Sequence, residues 1–92
     1  MNTFQKYEYV GSIASNDRQT LKNLKSGFYK YLLFGAPTMM GEVICRITSN
    51  GTVNITNPPS QVRFVTDTNF IQIYNDSDSN TLTVYRMALS SY

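Results

Sequence analysis

The chain has no histidine and no tryptophan, a single cysteine, three prolines and few charges, and each shortage closes off a class of function. Without histidine there is no side chain whose ordinary titration falls near pH 7. A nucleophilic cysteine therefore lacks the histidine it usually needs. Acid-base chemistry would fall to Glu8, Asp17, Glu42, Asp67, Asp76 and Asp78, most of them in turn-like stretches where a carboxyl group keeps ordinary behaviour. Neither a G-x-S-x-G elbow nor a Gly-rich phosphate cradle is present, so the reading is non-enzymatic and without a cofactor. One cysteine, Cys45, closes no disulfide within the chain and reads as a core thiol.

Charge is as sparse as cysteine. Eight Lys and Arg against six Asp and Glu leave a net charge of +2, too small and scattered for a nucleic-acid footprint or a polybasic membrane anchor. Charged residues make up 15% of the chain, below the roughly 25% of an average domain, and Asn, Ser and Thr fill the difference. No apolar run approaches the ~20 residues of a membrane helix, and Met1 to Ser15 lacks an apolar signal core. The expectation is a soluble chain with no membrane insertion. Ninety-two residues make one small domain that buries about 60 to 65% of its unfolded surface, with Met1 to Lys6 as a frayed end or a remnant of a longer polypeptide.

What is present is β-pattern. Glu42 to Thr56, EVICRITSNGTVNIT, sets two alternating apolar runs around Ser49-Asn50-Gly51. A three-residue loop pairs Ile47 with Val53 and Cys45 with Ile55, keeps Val43 on the same face, and gives Gly51 the left-handed position of a G1 bulge. The remaining strands read as covering this central hairpin. Tyr7 to Ile13 alternates as a first strand, with Tyr7, Tyr9, Gly11 and Ile13 on one face and Gly11 as a bulge. Asn16 to Leu24 breaks the pattern and reads as a short helix or an irregular crossover. Phe28 to Phe34, FYKYLLF, is apolar on both faces, so it is either central in a two-layer fold or covered by another subunit; the central reading is preferred. Gly35 to Gly41 is a loop, and Asn57-Pro58-Pro59-Ser60 stops the hairpin's second strand.

Gln61 to Thr66, Phe70 to Asn75 and Asn80 to Met87 form a predicted meander. An Asp67-Thr68 turn, or a four-residue loop in the same register, sets Phe64 opposite Ile71 and Val62 opposite Ile73, and an Asp76 to Ser79 loop pairs Ile73 with Leu82 and Ile71 with Val84. Arg63, Gln72, Tyr74, Thr83 and Tyr85 fall on the other, half-wet face. The fold class is all-β: an antiparallel sandwich or jelly roll, or a small barrel, of about seven short strands with at most one short helix, in a single domain over 1–92.

Few stretches carry chemistry. Asp76-Ser77-Asp78-Ser79-Asn80 spaces its oxygens as a calcium loop does, yet Thr81 stands where the sharp turn needs Gly and Met87 where the bidentate carboxylate belongs. It reads as a solvated turn, with no metal. Asn50-Gly51-Thr52, Asn54-Ile55-Thr56 and Asn75-Asp76-Ser77 match glycosylation sequons at the frequency chance allows in a chain rich in Asn and Thr. Lys25 to Lys30 interleaves charge with aromatics, as a base-stacking strand of an OB-like barrel does. Low charge and seven strands favour core packing instead. The remaining candidates for ligand binding are Tyr29, Tyr31, Tyr74 and Tyr85, as a platform for a sugar ring or a protein partner. The lack of tryptophan weakens the sugar version, and subunit contact is preferred.

Leu21, the run Leu24-Lys25-Ser26-Gly27-Phe28-Tyr29 and the closing Thr81-Leu82-Thr83-Val84-Tyr85-Arg86 resemble, as a pattern over residues 20 to 92, the C-terminal modules of tailed-bacteriophage fibres and related virion appendages. The resemblance implies a homo-oligomer, with a trimer favoured, at the tip of a viral structural protein on the virion. There it would bind a host-surface glycan or protein and act in receptor binding. It carries over no individual site residue. The opposing expectation is a small monomeric module in the cytoplasm, binding single-stranded nucleic acid in an OB-like manner or another intracellular protein.

Overall fold

Alternation along the chain translates into eight antiparallel strands in the computed structural model, which describes residues 6–91, with the backbone alone for Ser90 and Ser91. The frayed end expected over Met1 to Lys6 lies, apart from Lys6, outside the described residues. The strands are β1 (Glu8–Ile13), β2 (Arg18–Leu21), β3 (Gly27–Phe34), β4 (Gly41–Ile47), β5 (Val53–Ile55), β6 (Val62–Asp67), β7 (Phe70–Asn75) and β8 (Leu82–Ser91). They form a five-stranded sheet in the order β1-β8-β3-β4-β5 and a three-stranded sheet in the order β2-β7-β6. The described residues contain no helix. The architecture is the all-β sandwich that the patterning predicts.

The inward members of each alternation make the core. Val43, Cys45 and Ile47 from β4, Ile71 and Ile73 from β7, and Leu82 and Val84 from β8 are buried together, with Tyr31 and Leu33 of β3 and Met39 of the following loop. The β4-β5 hairpin has the predicted register, with Ile47 opposite Val53 and Cys45 opposite Ile55. Gly51 donates its N–H to Thr48 O at 2.9 Å with φ at 86°, the left-handed conformation that the three-residue loop requires. The hairpin is not central, however, because β5 is an edge strand. The centre is β3, between β8 and β4, which explains its two apolar faces. A bulge falls between Tyr9 and Gly11 of β1, so Val10 is the extra residue and Tyr9 faces outward while Gly11 and Ile13 face in.

Three further expectations are corrected. Arg18–Leu21 is a strand rather than a helical turn: it pairs with β7 from Arg18 opposite Tyr74 to Leu21 opposite Ile71. The open edge of β7 offers backbone groups that need partners, and so short a helix offers little in return. Asn16 and Asn23, with φ of 60° and 55°, bend the chain into and out of β2. Next, β6 and β7 pair two residues away from the expected register, with Phe64 opposite Ile73 and Val62 opposite Asn75. The turn is Thr68-Asn69, with Asn69 at φ 53°. Tertiary bonds choose it. The Asn69 N–H donates to Gly51 O at 2.9 Å, its carbonyl accepts the Leu24 N–H at 3.0 Å, and its Nδ2 donates to Leu24 O at 2.7 Å. A Cβ at position 51 would run into the Asn69 side chain and the Thr68 methyl, so Gly51 serves this contact as well as its own turn.

The third correction concerns the last connection. Leu82 and Val84 do not pair with Ile73 and Ile71, because β8 crosses to the other sheet and inserts between β1 and β3. Asn75 fixes the crossover. Its buried amide donates to Ile13 O at 2.9 Å and to Asn80 O at 2.8 Å, while its Oδ1 accepts the Ser77 N–H at 2.9 Å. One side chain thereby ties together the end of β1, the end of β7 and the approach to β8. Replacing it leaves buried backbone groups without partners. Asn75→Ala is expected to lower the unfolding free energy by about 2–3 kcal/mol, read from the midpoint of urea unfolding. A loss under about 0.5 kcal/mol, the size of an ordinary surface change, would contradict this role.

Candidate functional site

The four tyrosines singled out in the sequence do not form one platform. β3 alternates, and its inward face carries Tyr29, Tyr31 and Leu33. Tyr31 is consequently 0% exposed, edge-on to Phe64 with ring centroids 5.8 Å apart. Its hydroxyl has no hydrogen-bond partner and lies beside Arg86. It is a core side chain, closed to a ligand. Tyr74 lies on the outer face of the smaller sheet, with the Arg63 guanidinium 4.1 Å from its ring centroid. Arg63 in turn forks onto Asp76 with two bonds of 3.1 Å, so cations occupy that surface.

Tyr85 points outward from the five-stranded sheet, between Tyr9 at 5.7 Å and Phe34 at 5.8 Å, both in edge-to-face contact. Tyr9 is 60% exposed and Phe34 46%, and Leu32 lies opposite Tyr85 on the neighbouring strand. These four make an open aromatic patch. Sequence alternation places Tyr9 in the core because the bulge that turns it outward adds one residue to the count. Phe34 and Leu32 carry a visible signal in the two-sided apolar pattern of β3.

Tyr29 is in a different setting. β3 and β8 run for eight and ten residues against four in β2, so the larger sheet extends past the smaller one. Beneath that overhang is a cleft of about 520 Å³ lined by the connection from Thr20 to Lys25, by Tyr29 and by Arg86. The Tyr29 hydroxyl donates to Lys25 O at 2.7 Å, joining the wall to the rim. The Arg86 guanidinium lies 5.5 Å from the Tyr29 ring centroid. Arg86 also donates from Nε to Glu8 Oε1 at 2.9 Å and from Nη2 to the same oxygen. Burial works against the Arg86 charge, and its hydrogen bonding, led by Glu8, more than offsets that and raises its pKa. Sequence reasoning missed Arg86, whose signal is a cation at the inward position of a strand, two residues after Val84.

The Asp76 to Asn80 turn uses its oxygens internally. Asp76 holds Arg63, Asp78 Oδ1 accepts from Asn16 Nδ2 at 3.1 Å, and the Ser77 hydroxyl accepts the Ser79 and Asn80 N–H groups. Among the described residues no group of three or more His, Cys, Asp or Glu side chains is placed to hold a metal ion. Asn75, the first residue of one sequon, is fully buried with its amide engaged, and is closed to glycosylation in the folded chain. No helix among the described residues is long and apolar enough to cross a membrane. No family model, curated protein or solved structure matches the chain. The geometry itself defines the class: an antiparallel β-sandwich of unequal sheets with an aromatic outer patch and a basic cleft.

Two buried groups give the core an alkaline limit. Burial raises the Cys45 thiol from its ordinary 9.0 to about 11, with Arg86 opposing, and the Tyr31 hydroxyl from 10.0 to about 12, again against Arg86. In both, folding favours the neutral form, so the unfolded chain loses its protons first as pH rises. Stability is then intact below about pH 9 and falls between about pH 9 and 12, by about 1.4 kcal/mol per pH unit for each group ionised only in the unfolded chain. Urea midpoints measured from pH 7 to 11 are expected to show this fall. Tyr31→Phe should remove its upper part and leave stability at pH 7 unchanged or raised by up to about 1 kcal/mol, because the hydroxyl lost has no partner. A flat profile to pH 11 would contradict both burial effects.

Proposed function

We propose that the chain is a non-enzymatic structural and binding module that works as an assembly of identical copies, of the kind that forms the tip of a virion appendage and contacts a host-surface glycan or protein. The observation that carries this reading is the exposed Tyr9-Tyr85-Phe34 cluster, extended by Leu32, on the outer face of the five-stranded sheet. Large aromatic surface in contact with water is what an interface core is made of. Lys30 and Glu42 beside it pair with each other at 3.8 Å, so they present no unbalanced charge to repel a copy. Five strands at ~4.8 Å spacing and ~25 Å length give about 600 Å² per copy, at the lower end of what a specific interface buries. The non-enzymatic part is supported by the six carboxylates, all of them solvent-exposed and none held in the apolar setting that makes a general acid.

Mass in solution tests the assembly. Light scattering or native mass spectrometry is expected to give about three times 10.5 kDa, the trimer that the fibre-module resemblance implies. Tyr9→Ser combined with Phe34→Ser should reduce it to a single chain with an unchanged far-UV spectrum, since both side chains are exposed. A single-chain mass persisting to high protein concentration overturns the assembly reading.

A further inference from the structure

We propose that the cleft between the Thr20 to Lys25 connection and Arg86 is a binding site for a carboxylated sugar. This deepens the reading of the chain as a binding module and rests on it, although it does not rest on self-association. The first observation is the distribution of charge. Lys22, Lys25 and Arg86 line one cleft, and the carboxylate that meets them is Glu8, bonded to Arg86. Three cations less one carboxylate leave two positive charges, which is the entire net charge of the chain. Everywhere else the five remaining cations and five remaining carboxylates cancel. Lys22 and Lys25 make no ion pair with a described residue, and both are exposed at the rim.

The rest of the lining fits a ring better than a bare anion. Leu21, Leu24 and the half-buried Tyr29 give apolar walls, and Thr20 and Asn23 supply neutral hydrogen-bonding groups beside them. A volume of about 520 Å³ lies in the range of small-molecule sites. A sugar carrying a carboxylate has an apolar ring face, hydroxyls and one negative charge, and each has a counterpart here.

The site is also held in shape before anything binds. The rim is fixed by the pair of Leu24-Asn69 hydrogen bonds and by Tyr29 to Lys25 O. Arg86 is oriented by Glu8, whose Oε1 accepts from its Nε and Nη2. The fully buried Tyr31 lies beside the guanidinium on its core side. Rigid placement of this kind lowers the ordering cost of binding.

The test is titration of the isotope-labelled full chain, followed by backbone amide shifts, with glucuronic acid, glucose, inorganic phosphate and an oligothymidylate. Glucuronic acid, raised to about ten times a millimolar Kd, should shift the amides of Thr20 to Lys25, Tyr29 and Arg86, and glucose should not. Lys22→Ala and Lys25→Ala, exposed changes whose folding is checked by the retained dispersion of the spectrum, should each weaken binding about two- to five-fold. No shifts, equal shifts with glucose, equally strong shifts with phosphate, or tighter binding of the oligothymidylate would each overturn the proposal. The Tyr9→Ser, Phe34→Ser variant separates the two readings. Its substitutions are on the opposite face of the sheet, so it should lose assembly and keep the glucuronic acid shifts, whereas failure of the cleft leaves the mass unchanged.

Discussion

A three-stranded sheet cannot cover a five-stranded one, and most of what distinguishes this molecule follows from that mismatch. Where the sheets overlap, alternating side chains from β4, β7 and β8 close a dry core around Tyr31 and Leu33. Where the larger sheet extends beyond the smaller, its inward positions change from Leu82 and Val84 to Arg86, and a strand that begins as core ends as the wall of a cleft. The same wide sheet presents an outer face on which no other described strand packs. Its cluster of Tyr9, Tyr85 and Phe34 is the price of making β3 central.

The connections between the sheets are held by polar side chains rather than by greasy contact. The Asn75 side chain satisfies Ile13 O, Asn80 O and the Ser77 N–H, and Asn69 bonds Gly51 O and both backbone groups of Leu24 through its own backbone and its Nδ2. A small sandwich has little apolar area with which to fix the relative position of its layers, and buried amides with strict geometry provide the specificity that a few aliphatic contacts cannot. Both asparagines also shape function. Asn69 pins the rim of the cleft through Leu24, and Asn75 sends β8 to the sheet where Tyr85 faces outward and Arg86 inward.

Alternation revealed which residues are inside and said little about which strand lies beside which. Val62, Ile71, Ile73, Leu82 and Val84 are all in the core as their spacing predicts, although the pairings drawn for them were wrong by two residues in one case and by a whole sheet in the other. A shift of two keeps every side chain on its face, so only the hydrogen bonds of Asn69 could decide the first, and only those of Asn75 the second. The β4-β5 register was legible because its loop is local and Gly51 marks it. The candidate site was less so. Tyr29 and Tyr85 were in view, while Tyr9 was hidden by a bulge and Arg86 by its company, since a cation two residues beyond Val84 looks like a strand end until the length of the opposing sheet is known.

The position of β8 sets the order in which the fold can be built. It lies between β1 and β3, and its contact with β1 joins residues as far apart as Glu8 and Arg86, 78 positions away in the chain. Local hairpins such as β4-β5 and β6-β7 can form as soon as their residues are made. The five-stranded sheet has to wait for β8, and until then β1 has no neighbour in that sheet and one long edge of β3 is unpaired. Closing so large a loop is slow relative to hairpin formation. A chain held up at that point would expose a sticky strand edge to other chains. The strand that closes the larger sheet is thus also the one that protects the edges of β1 and β3.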